Sequence, residues 1–125
     1  MKVPDGPFRG VRVPKPWGYE LIWAHTGRYV GKILHVEKGH ALSLQYHQVK
    51  DETLCLLSGL LQLEVGDSDD VLRVLRLVPG ESVHLPAGRR HRLTALEDCD
   101  VLEASTPELD DVVRIADRYG RAQQR

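Results

Sequence analysis

The sequence predicts an all-β domain, on three observations. Apolar residues alternate with polar ones over short stretches. Gly, Pro and Asp interrupt those stretches at close intervals. No stretch of helical length holds a clean 3.6-residue apolar period. Roughly nine short strands in one domain point to a sandwich or a closed barrel.

In chain order, strands are expected at Tyr19–Ala24, Tyr29–Glu37 and Ala41–His47. Thr53–Ser58 and Leu60–Val65 follow on either side of a tight turn at Ser58-Gly59. Within the second of these, Leu61, Leu63 and Val65 share one face while Gln62 and Glu64 share the other. The loop from Gly66 to Asp70 makes a hairpin into Val71–Leu77. Ser82–Leu85 comes next, Pro86 and Gly88 shape a turn, and His91–Ala95 and Val101–Ser105 complete the set. The segment from Asp110 to Tyr119 reads as either a short helix or a closing strand.

A chain of 125 residues fits one domain, residues 1–125, with a core over about 13–121. A net charge of -1, with Arg scattered among Asp and Glu, argues against a nucleic-acid binder working through a basic face. No segment approaches the roughly 20 apolar residues that span a bilayer. Residues Met1 to Gly10 carry Pro4, Pro7 and charges where a signal sequence would be apolar, so a cytoplasmic location is expected. Of the two cysteines, Cys55 reads as a buried strand residue, and Cys99, between Asp98 and Asp100, reads as part of a turn; no disulfide is needed.

Two stretches carry candidate chemistry. In Ser43-Leu44-Gln45-Tyr46-His47, Gln45 and His47 are two apart on a predicted strand and point to one face. Glu52 lies five positions further on. In the second stretch, His91 follows the Pro86-Ala87-Gly88 turn. Neutral imidazoles, a carboxylate and an amide oxygen that converge on one point suit a divalent ion of borderline softness: zinc foremost, with manganese, iron, nickel or cobalt also fitting.

The spacing resembles the two motifs of the cupin superfamily. The first runs Gly39, five residues, Gln45-x-His47, four residues, Glu52, six residues, Gly59; the second runs Gly80, five residues, Pro86-x-Gly88, two residues, His91. Gln45 stands where cupins usually have His, and Ala95 where they usually have Asn. Gln-x-His within Ser-Leu-Gln-x-His resembles the phosphomannose isomerases. Lys15-Pro16-Trp17-Gly18, Lys32, Asp110-Asp111-Val112-Val113-Arg114 and Asp117-Arg118-Tyr119-Gly120-Arg121 also resemble the cupin domain of the type II enzymes of that family.

The resemblance implies a jelly-roll barrel holding one divalent metal with Gln45, His47, Glu52 and His91. It implies a sugar phosphate as the small-molecule partner, interconverted between aldose and ketose (mannose 6-phosphate and fructose 6-phosphate) by proton transfer between C1 and C2. Lys32 or His84 would serve as the base if they face the cavity. Ser43, Trp17 and Lys50 would bind substrate, with Arg89 and Arg90 as further cations for a phosphate. Arg92, next to His91, should point away from the metal. A homodimer paired through edge strands is expected. The family's extra histidines after the first ligand and beside the carboxylate are absent, since the chain has His47-Gln48-Val49 and Glu52-Thr53. These 125 residues hold no counterpart of the nucleotidyltransferase domain of the bifunctional enzymes. The alternatives are a non-catalytic cupin that binds metal and sugar, and a cupin oxygenase.

Overall fold

The computed structural model describes residues 3–122, and among them every regular element is a strand. In order these are β1 (Val11–Lys15), β2 (Gly18–His25), β3 (Val30–Val36), β4 (Leu44–His47), β5 (Glu52–Ser58), β6 (Leu61–Gly66), β7 (Arg73–Leu77), β8 (Ser82–Leu85), β9 (Arg90–Ala95), β10 (Cys99–Ser105) and β11 (Val112–Ala116). They form two antiparallel sheets. One has the order β1-β2-β3-β10-β5-β8, the other β11-β4-β9-β6-β7. From β3 onward, successive strands fall in opposite sheets except for the β6–β7 hairpin, which is the jelly-roll wiring expected above.

The alternation seen in the sequence sorts the two faces. In β6, Leu61, Leu63 and Val65 are buried while Gln62 and Glu64 turn outward. Leu34, Val36, Leu54, Leu56, Leu93 and Val101 join them in one core. Each such side chain contributes about 1.5–3 kcal/mol when fully buried. No helix in the structure is long and apolar enough to cross a membrane.

One open alternative is settled, and three local expectations needed correction. The segment after Asp110 is a strand, not a helix, because β11 finds a partner in β4. No strand was expected before Tyr19; β1 lies at a sheet edge, where the missing N–H of Pro14 breaks no ladder. The strand predicted from Ala41 begins only at Leu44, and Ala41 makes an isolated bridge to Thr94. Cys99 is no turn residue: it opens β10 and is fully buried, whereas Cys55 is only half-buried, and both thiols are free.

Two glycines are required by close backbone approach. Gly18 has φ +150°, and a Cβ there would lie 1.9 Å from the carbonyl oxygen of His35. Gly59, at the turn into β6, has φ +97°, and a Cβ would lie 2.2 Å from the carbonyl oxygen of Asp98.

Candidate metal centre

Register places the polar residues. Across the five-stranded sheet Arg114 of β11 lies opposite Gln45 of β4, and Gln45 lies opposite His91 of β9. Residues directly opposite in a ladder share a face, and His91 lies opposite the buried Val65, so this row points inward. Across the six-stranded sheet, Lys32 of β3 lies opposite Glu103 of β10, which lies opposite the buried Leu54. Glu52 lies opposite Ser105 and opposite the buried Leu85. Both rows face one cavity of about 250 Å³, whose lining includes Trp17, Gln45, His47, Glu52 and His91.

Inside it, His47, Glu52 and His91 converge. Each is buried, and one ligand atom from each lies within 4.8 Å of the others. His47 Nε2 is 3.5 Å and His91 Nε2 3.3 Å from Glu52 Oε1. The imidazole rings stand 5.7 Å apart. His91 Nδ1 is 3.1 Å from the carbonyl oxygen of Arg89, so an Nδ1–H donates there and Nε2 is the nitrogen that faces Glu52. His47 Nδ1 is buried without a protein partner. Gln45 lines the same cavity, and its Oε1 accepts a 2.6 Å hydrogen bond from Ser43 Oγ. An amide oxygen has a second lone pair, which stays available. Two imidazoles and an amide oxygen from one sheet, with a carboxylate from the other, fit a divalent transition-metal ion.

The buried charges form a chain. Lys50 Nζ is 3.2 Å from Glu52 Oε2 and 3.0 Å from Glu103 Oε2. The Lys50 segment is pinned by Asp111, whose Oδ2 accepts the backbone N–H of Val49 and of Lys50, each at 2.7 Å. Burial alone would raise the Glu52 pKa, but hydrogen bonds from His47 and His91 and the charge of Lys50 hold the carboxyl far below its usual range. Glu103 goes the other way: burial, then the nearby Glu52 charge, pushes it up, and Lys50 and Lys32 offset only part of this. Burial would lower the Lys50 pKa, but Glu103 and Glu52 outweigh it and raise it. Lys32, also buried, lies 3.4 Å from both oxygens of Glu20.

The expected site residues therefore divide. Gln45, His47, Glu52, His91, Lys32, Trp17 and Lys50 all line the cavity. His84 does not. It alternates with Val83 and Leu85, lies opposite Thr53 on the outer face and meets Asp51 at 2.6 Å, so it cannot act as a base on a ligand in the cavity. Ser43 is 1 % exposed and spends its hydroxyl on Gln45, so it orients a ligand-bearing side chain rather than meeting substrate. Lys50 is neutralised between two carboxylates, a poor state for holding a phosphate. Arg89 and Arg90 pair outside with Asp67 and Asp69. Arg92 turns away as alternation requires, with its Nε 2.5 Å from Glu64.

Glu20, Glu103 and Arg114 were missed. Parity was the available signal for Glu103, which is inward-facing in a strand whose other inward positions are Cys99, Val101 and Ser105.

Comparison with known proteins agrees with this geometry. Residues 9–117 match the family described as Mannose-6-phosphate isomerase C-terminal. The chain belongs to that family. Curated proteins similar to it include the mannose-1-phosphate guanylyltransferase of Escherichia coli K12, 37% identical over 115 residues that cover 87% of this chain and 23% of the relative. The xanthan biosynthesis protein XanB of Xanthomonas campestris pv. campestris is 35% identical over 116 residues, covering 88% of this chain and 24% of the relative. The alginate biosynthesis protein AlgA of Pseudomonas aeruginosa is 32% identical over 114 residues, covering 87% of this chain and 23% of the relative. The chain thus spans about a quarter of the length of the curated relatives it matches. Among solved structures, oxalate decarboxylase from Bacillus subtilis superposes with a TM-score of 0.74 at 13% identity, covering 92% of this chain and 33% of that one. KdgF from Halomonas sp. gives 0.66 at 25% identity, covering 77% of this chain and 85% of that one. The fold of this family member is a cupin barrel.

Proposed function

We infer that this cupin domain is a metal-dependent aldose–ketose isomerase acting on a hexose phosphate of the mannose 6-phosphate type. The observation that carries the reading is the inward row Gln45–His91 facing Glu52 and His47, in a cavity that also holds the buried Lys32–Glu20 pair. The family to which the chain belongs supports the substrate class.

Gln45, His47, Glu52 and His91 would hold one divalent ion, with zinc as the first choice. When bound, such an ion supplies positive charge that polarises a carbonyl oxygen and stabilises the charge developing on it. The protein's own residues do the rest. Gln45, a neutral donor, adds no negative charge to the ligand set. Ser43 fixes the Gln45 amide so that the remaining lone pair of its oxygen points into the cavity. Lys32 and Glu20 form the pair that takes and returns the proton between adjacent carbons, since they are an acid and a base in contact on the cavity wall and neither is tied to a metal ligand. Trp17, 2 % exposed, closes the cavity floor with an apolar ring.

The absent histidines weigh less than the sequence suggested. Gln48, Val49 and Thr53, where the family has further histidines, are exposed and do not line the cavity. The test is a coupled assay for fructose 6-phosphate formation from mannose 6-phosphate with metal-replete protein. Turnover should fall about 100-fold or more in Lys32→Met, the usual loss for a proton carrier. Full metal loading with no turnover of any hexose phosphate would leave the binding-only reading in its place, and turnover only with dioxygen would favour an oxygenase.

A further inference from the structure

The cavity wall holds more positive charge than the metal centre and the proton-carrying pair use. Three of its cations have carboxylate partners: Lys32 with Glu20, Lys50 with Glu52 and Glu103, and Arg121 with Asp117, where the Arg121 Nε and a terminal nitrogen meet the two carboxylate oxygens at 2.9 and 3.1 Å. The side chains of the other two, Arg114 and Lys15, have no hydrogen bond or ion pair with any described residue. Arg114 Nε is buried and unpartnered. A guanidinium nitrogen out of water without an acceptor carries a desolvation cost that a ligand oxygen would relieve.

The position of Arg114 is defined by the ladder. It is the third member of the inward row, opposite Gln45, which is opposite His91. Two strand spacings, about 10 Å, therefore separate its backbone from that of His91. Its neighbours sharpen the charge imbalance. Burial first, and then the nearby Arg121, hold the Arg114 pKa below its ordinary value, with Asp117 and Glu20 opposing. Asp117 is already committed to Arg121, and Glu20 to Lys32. The exposed Asp110 also reaches the rim. Two guanidiniums and a lysine with one carboxylate committed among them form a site short of negative charge.

We propose that Arg114, with Lys15 and Arg121 of the same cavity lining, is an anion subsite on the β11 side of the cavity, and that it takes the phosphate monoester of a sugar whose carbonyl end reaches the metal cluster. The planar guanidinium suits two phosphate oxygens at once, while Lys15 adds a mobile point charge. The subsite deepens the isomerase reading and rests on it for the sugar, but phosphate binding itself can be read without any turnover.

The experiment uses the full chain loaded with metal and inorganic phosphate as the probe, followed by titration calorimetry. Wild-type protein should bind phosphate at one site, and Arg114→Gln should weaken that binding at least 10-fold with metal content unchanged. Arg114→Lys, which keeps the charge and loses the fork, should fall between the two. It serves as the reporter if Arg114→Gln fails to fold. In the isomerase assay, Arg114→Gln should raise KM for the sugar phosphate at least 10-fold with kcat within about threefold. No phosphate binding by wild-type protein, or unchanged affinity in both variants, overturns the subsite. Phosphate binding lost in the variants without isomerase activity in any form supports the subsite and overturns the isomerase reading. Turnover with an unaltered KM in Arg114→Gln does the reverse.

Discussion

Replacing Lys50 with Met removes the one cation that lies between two buried carboxylates, 3.2 Å from Glu52 and 3.0 Å from Glu103. Stripping one partner from a buried ion pair costs about 3–5 kcal/mol when the other charge stays in place. A proton offers a cheaper route. Glu103 is already pushed above its ordinary value of 4.5, so it is the carboxyl that will accept one. The loss of stability in Lys50→Met at pH 7 should therefore lie at the low end of that range, about 3 kcal/mol. The sign with pH follows. A carboxyl raised in the folded state holds a proton that the unfolded chain has released, so stability falls as pH rises above 4.5. At pH 5.5 the same loss should be clearly smaller. Urea unfolding of metal-free wild type and variant at the two pH values measures this directly. Glu103→Gln added to Lys50→Met should recover most of the loss at pH 7. A loss under about 1 kcal/mol at pH 7, or one of the same size at both pH values, would refute the buried-triad account.

His91→Ala should lower bound metal from about one ion per chain toward zero by elemental analysis. It should also abolish the stabilisation of about 2.7 kcal/mol that wild type gains when free metal is 100-fold above its Kd. Gly59→Ala should destabilise by at least about 2 kcal/mol, from left-handed strain plus contact with the Asp98 carbonyl, seen as a lower urea midpoint with unchanged slope. Leu63→Ala, at a fully buried position between the sheets, should cost about 2–5 kcal/mol in the same assay. Arg92→Ala, on the outer face with Glu64, should cost under about 1 kcal/mol and leave metal content and turnover unchanged.

Much of this protein is local information, and a single sequence carries local information well. Strand periodicity separates Leu61, Leu63 and Val65 from Gln62 and Glu64 because side chains alternate strictly along an extended backbone. The same rule put Gln45 and His47 on one face and turned Arg92 away from the metal cluster. Applied fully, it would also have turned His84 outward, beside the apolar Val83 and Leu85, and brought Glu103 inward with Cys99 and Val101. The sequence by itself thus determined the all-β class, the turn positions and the residues able to bind a metal. Which of those residues meet was a tertiary matter. The pairing of β11 with β4 turned an ambiguous tail into a strand and set Arg114 in line with Gln45 and His91; the sheet-to-sheet wiring brought Glu52 to His47 and His91, and Lys50 between two carboxylates. Those contacts join positions far apart in the chain, and their energies depend on burial and ion pairing across the barrel. Neither exists in the chain until the two sheets close on each other.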